Sequence, residues 1–186
     1  MTTLAALWLP ILLSAVLVFV ASSLIHMCLQ IHKGDYQKLP NEDAALDALR
    51  KAGVGPGQFM FPHCSSMKEA TSPAMKEKFT RGPTGTLVVR GGDCMNMGKA
   101  LGQWFAFCLV VSVITAYVTG LARGPGGGDI FRISATIALL GYGFSSVCDS
   151  IWKGISWSTT AKFLFDGLVY ALCTAWMFRS FWPAAA

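Results

Sequence analysis

"LAALWLPILLSAVLVFVASSLIHM", Leu4 to Met27, contains no Asp, Glu, Lys or Arg. About 20 mostly apolar residues in a helix span the hydrocarbon core of a bilayer. This run therefore predicts a transmembrane helix. Pro10 kinks that helix or ends its first turn, since proline lacks the N–H that a helix interior uses. No positive charge precedes the run, and it exceeds a typical signal-peptide core, so it reads as a permanent anchor.

Working outward, three more stretches meet the same test: Ala100 to Leu121, Ile130 to Ile151 and Lys162 to Trp182. The third carries Ser, Thr and Gly and reaches Asp149, and the fourth carries Asp166. The expected fold class is an all-α membrane protein with four transmembrane helices. A polar extramembrane segment, residues 28–99, separates the first two. Composition agrees. The 186 residues are 53% hydrophobic and 13% charged, against about 25% charged in soluble domains. Trp8, Trp104, Trp152, Trp157 and Trp182 fall near predicted helix ends, where indole favours the headgroup level, and only Trp176 lies deeper.

Four spans place both termini on one face. The opposite face carries Lys33, Lys38, Arg90, Lys99, Lys153 and Lys162 near the membrane, and the terminal face carries Arg123, Arg132 and Arg179. The positive-inside rule then predicts a cytoplasmic 28–99 segment and periplasmic termini. The formal net charge of +5 calls for no nucleic-acid partner, because flanking cations also suit anionic lipid. Cys28, Cys108, Cys148 and Cys173 lie in or beside spans, which leaves Cys64 and Cys94 in the polar segment as reduced thiols if it is cytoplasmic.

Within the polar segment, "LPNEDAALDALRKAG" predicts a short helix capped by Asn41 and ended by Gly53. "TSPAMKEKF" predicts another, with Ser72 as cap and Pro73 as first residue. "GTLVVR", Gly85 to Arg90, is the strand-like run. "FMFPHCSSM", Phe59 to Met67, reads as a packed membrane-proximal loop.

That loop also raises the question of a metal. His63, Cys64 and Met67 lie close together, and Cys94, Met95 and Met97 form a second soft-donor group. Thiolate and thioether select copper(I), and Cys with His also suits zinc. Neither group has the paired spacing of a structural zinc site, and Met commonly fills gaps at apolar surfaces. The reading is packing with no cofactor, and the alternative is copper or zinc. "TLVVRGGDCMNMGKA" evokes a phosphate loop, but five residues part Gly92 from Gly98 where the motif needs four, and Ala100 stands where Ser or Thr belongs. Haem attachment has no C-x-x-C-H, and no second histidine lies in a span to pair with His26. His26 either ligates a group brought by a partner or hydrogen-bonds a neighbouring helix or headgroup.

Four charges converge on the third and fourth spans. Asp149 and Lys153 share a helix face, as do Lys162 and Asp166. They read as a charge clamp on the hairpin, with Asp166 paired to Lys162 or to a polar group such as Gln103. A proton or ion relay is the functional alternative. Ala116 and Gly120, Gly141 and Ser145, and Ala171 and Ala175 keep the spacing of tight helix packing.

"DYQKLPNEDAALDALR", "FPHC", "MNMGKALGQWF" and "SIWKGISWSTTAKFLFDGLVYALCTAWMF" resemble a group of small, uncharacterised bacterial four-helix inner-membrane proteins. The likeness spans nearly the whole chain and implies four spans with a polar insert. It implies no activity and transfers no catalytic residue. The expected role is an accessory or assembly subunit of a larger membrane complex, not an enzyme, with lipid and other membrane subunits as partners. Metal handling and small-solute or proton passage are the competing readings.

Overall fold

The computed structural model describes residues 3–92, 96–123 and 129–183. The chain forms two compact units. One comprises the residues up to Asp35, Met97–Ile151 and those from Ile155 onward; the other comprises Tyr36–Asn96 and Trp152–Gly154.

Among the described residues, four helices are long and apolar enough to cross a membrane: Leu4–Leu29, Met97–Ala122, Ile130–Lys153 and Trp157–Phe181. The first is composite. A 3₁₀ turn, Leu4–Leu7, leads into α1, Trp8–Ser23, which passes into a π-helical segment, Leu24–Leu29. Pro10 falls in the first turn of α1, where its missing N–H is not needed. Gln30 then adopts φ 49°, a left-handed conformation uncommon outside glycine. That residue turns the chain into a second 3₁₀ stretch, Ile31–Gly34, which packs against the last helix of the unit.

After α2, Glu42–Lys51, α3, Met67–Ala70, and α4, Pro73–Arg81, α5 runs over Met97–Ala122, α6 over Ile130–Tyr142, α7 over Ser145–Lys153 and α8 over Trp157–Phe181. Helix α8 packs on α6 and α1, α1 on α5, and α5 on α6, which closes the bundle. Helix α8 starts earlier than its apolar run. Ser156 caps it, accepting from the Thr159 N–H at 3.2 Å, so the polar Ser158, Thr159 and Thr160 are helical.

The third span is broken at Gly143 and Phe144, between α6 and α7. The break lies against α8. A Cβ added at Gly167 would sit 2.6 Å from Gly143 Cα, so two backbones meet where neither residue has a side chain. Hydroxyls satisfy the freed backbone groups, as they do at broken helices in lipid. Ser146 Oγ donates to the Gly143 carbonyl at 2.7 Å, and Thr160 Oγ1 to the Ser146 carbonyl at 3.4 Å. The Ser150 and Thr160 hydroxyls bond to each other.

The bundle interior is small and polar as well as apolar. Val18, Cys108, Ala116, Ala171, Ala175 and Phe178 are buried beside Ser14, Ser112, Thr115, Thr119 and Thr174. Ser14 and Ser112 bond across α1 and α5 at 3.0 Å, and Trp104 Nε1 donates to Ser22 Oγ at 2.8 Å. Such contacts suit lipid, where tails are as apolar as Leu and association relies on close packing and hydrogen bonds.

In the second unit α2 covers Glu42–Lys51, α3 Met67–Ala70 and α4 Pro73–Arg81. Strand β1, Gly57–Phe61, pairs antiparallel with β2, Gly85–Val89, in a register that sets Phe61 opposite Gly85. The Phe59 and Phe61 rings lie over Gly57 and Gly85, where an added Cβ would meet them at 3.1 and 3.2 Å. Ser72 caps α4 as its sequence predicts, whereas Asn41 makes no capping bond to α2. Ser66 caps α3, and Glu69 reaches back to the Ser65 N–H at 2.8 Å.

Two expectations change here. The all-α chain with one ~70-residue polar insert gives way to a first span followed by a series of short elements, two of them paired strands. The run "FMFPHCSSM" is not wholly a loop, because Phe59 to Phe61 supply ladder bonds to the distant Gly85–Leu87. Such pairing is set by a partner 24 residues or more away, which a local pattern does not display.

Candidate metal centre

The π-helical end of the first span carries His26 and the following 3₁₀ stretch carries His32, with Asp35 just beyond. His26 faces α8 from the helix itself, and the turn at Gln30 brings His32 back to the same Asp166. His32 Nε2 lies 2.8 Å from Asp166 Oδ2, and His26 Nε2 lies 3.5 Å from the same oxygen. His32 Nδ1 lies 2.6 Å from Asp35 Oδ2, and Lys162 Nζ donates to Asp35 Oδ1 at 2.5 Å. The imidazoles stack at 4.6 Å between centroids, and Phe163 covers the far side of His32 at 4.7 Å. The Tyr170 hydroxyl lies 3.5 Å from His26 Nε2.

Burial makes the arrangement expensive unless it is compensated. The Asp166 side chain is 2% exposed, that of Asp35 4%, that of His32 14% and that of His26 42%. An unpaired carboxylate at such a depth is costly. Asp166 Oδ1 has no hydrogen-bond partner among the described residues, so half of a buried carboxylate is unsatisfied there. At Asp35, burial raises the pKa, but the hydrogen bonds from Lys162 and His32 outweigh it and hold the carboxyl below its ordinary range.

Proton accounting narrows the chemistry. Both nitrogens of His32 face carboxylate oxygens, and a neutral imidazole offers one N–H. One N–H can serve either Asp35 or Asp166, not both; we take it to be Nδ1–H on Asp35. The contact between Nε2 and Asp166 then needs one more positive charge, either a proton or a metal ion. His26, His32 and Asp166 each offer a donor atom, and the three atoms lie within 4.8 Å of one another. Ligands about 2.0 to 2.1 Å from a tetrahedral zinc ion are separated by about 3.3 Å. The two separations from Asp166, 2.8 and 3.5 Å, bracket that value, and the two histidine donors lie within 4.8 Å of each other. Asp35 stands where a metal-binding histidine commonly has a carboxylate, fixing its tautomer and orientation.

The residues singled out in the sequence are placed otherwise. Asp166 bonds His32 rather than Lys162, and Lys162 bonds Asp35 rather than Asp166. Gln103 is exposed on α5. Asp149 is half-buried on α7, while Lys153 lies in the second unit, where its carbonyl accepts from Thr86 Oγ1 at 3.4 Å. Asp166 therefore meets histidines where Lys162 was expected. Of the soft donors, Cys94 and Met95 lie outside the described residues. His63 and Cys64 follow β1, Met67 is exposed at the start of α3, and Met97 is exposed at the start of α5 in the other unit. Among the described residues, the His, Cys, Asp and Glu donors that converge in a group of three are His26, His32 and Asp166.

His32 and Asp35 had no motif to mark them. The available signal is the pair of histidines six apart at the end of a span, but it becomes a site only if the chain reverses at Gln30. No protein-family model, curated protein or solved structure matches this chain, so the chemistry of the cluster has to be read from its geometry.

Proposed function

We propose that the protein binds one divalent transition-metal ion at His26, His32 and Asp166, as an accessory subunit of a larger membrane assembly rather than as an enzyme. The observation that carries this reading is the buried Asp166 carboxylate, with one oxygen facing two histidines and the other without a hydrogen-bond partner among the described residues. Two imidazoles and a carboxylate suit Zn²⁺ or Fe²⁺, whereas copper(I) favours the thiolates and thioethers the sequence offers elsewhere. Bound there, the ion would supply the positive charge that the Asp166–His32 contact requires. His26 is 42% exposed, so a partner subunit has access to the open side of the ion, which favours the accessory role.

Metal titration of the full chain in mild detergent tests the binding. One equivalent of Co²⁺ is expected, with the visible absorption of a four-coordinate ion. A His63→Ala/Cys64→Ser variant is expected to keep it and His26→Gln to lose most of it. Binding that follows His63 and Cys64 instead would return the site to the soft donors. Co-purification from native membranes tests the assembly role separately.

The membrane is proposed to be a bacterial inner membrane, with residues 28–99 cytoplasmic and both termini periplasmic. Six boundary cations against three support that orientation. A reporter fused after Ala186 is expected to read periplasm and one inserted at Gly55 cytoplasm. The reverse pattern would place the metal centre at the outer face.

A further inference from the structure

We propose that the cleft between the end of β1 and α4 binds the phosphate of an anionic phospholipid. This inference assumes that the four long helices cross a bilayer, but it is independent of the metal centre. The cleft has a volume of about 330 Å³, and Phe61, His63, Met75, Lys78, Arg81 and Pro83 line it. Met75, 5% exposed, forms its floor. Lys78 and Arg81 are three apart on α4 and so share one face.

Neither cation is in an ion pair among the described residues, whereas Lys38, Arg50 and Lys162 are. Two unpaired cations that line the cleft together with the apolar Phe61, Met75 and Pro83 suit a phosphate that arrives with hydrocarbon attached. The C-terminus of α4 adds only about half a negative charge, which two full cations outweigh. Phe61, 40% exposed, lines the cleft, and exposed apolar side chains of this kind bury at the headgroup–acyl boundary. Free phosphate or a soluble anion would draw no benefit from them. The unit that holds the cleft also joins the spans directly, at Asp35, at Met97 and on both sides of Trp152–Gly154.

Native mass spectrometry of the full chain, titrated in detergent with phosphatidylglycerol or phosphatidylcholine, tests this. The wild type is expected to bind one phosphatidylglycerol at least tenfold more tightly than phosphatidylcholine, given the contribution of each basic residue near an anionic surface. Lys78→Gln/Arg81→Gln is expected to remove that preference, and a charge-matched Lys51→Gln/Lys68→Gln control to keep it. All four residues are exposed, so the variants should fold. The proposal is overturned if the control loses the preference equally, if the cleft variant keeps it, or if both lipids bind alike. Displacement of the lipid by millimolar inorganic phosphate would make the cleft a site for the free ion, and would also overturn it.

Discussion

Asp166→Ala is expected to abolish saturable Zn²⁺ binding, and Asp35→Ala to weaken it by about 10- to 100-fold. The two carboxylates would play different parts toward a bound ion. Asp166 Oδ2 is a donor itself, 2.8 and 3.5 Å from the two imidazoles, and its loss leaves two ligands. Asp35 touches only the far nitrogen of His32. It holds the tautomer that presents the Nε2 lone pair, and its own charge is balanced by Lys162. Without it His32 can rotate or take the other tautomer, so binding weakens without vanishing. Competition with a chromophoric chelator measures both variants. Equal losses would mean that Asp35 is a ligand or that the fold has failed, and circular dichroism separates those two. Unchanged binding in Asp166→Ala would refute the centre.

Gly167→Ala should destabilise the bundle by roughly 2 to 3 kcal/mol, at the upper end of ordinary overpacking costs. Its new Cβ would lie 2.6 Å from Gly143 Cα and 2.9 Å from Gly143 N. Both are backbone atoms, so no side chain can swing away and α6 and α8 must separate. Gly120→Ala provides the contrast. Nothing lies within 4 Å of the atom it would add, and Ala gains up to about 1 kcal/mol over Gly in a helix interior. Thermal unfolding in one detergent, with wild type alongside, checks the pair. A Gly167→Ala variant as stable as Gly120→Ala would show that the two backbones do not meet.

Much of the architecture was open to sequence reading because lipid imposes a simple condition. A spanning segment must be long, apolar and hydrogen-bonded within itself, so the four spans are visible as composition. Caps are equally local, and Ser72 with Pro73 announced α4 without reference to anything distant. Asn41 shows the limit of that approach, since a suitable residue in the suitable place makes no cap bond.

The pairing of charges was not legible in this way. Asp166 and Lys162 sit four apart on α8, and the helical repeat makes them neighbours on one face. Yet each takes its partner from the end of the first span, more than a hundred residues away. A single left-handed residue, Gln30, decides this by turning His32 and Asp35 back against α8. The same is true of β1, whose partner strand lies beyond two helices, and of Gly143 with Gly167. By itself, then, the sequence determined what must lie in lipid, because burial there is a property of each segment taken alone. Only the tertiary structure decided which polar side chains meet inside, because in a low-dielectric interior a charge is matched to whatever the folded chain brings within about 3 Å, however far off it lies in sequence.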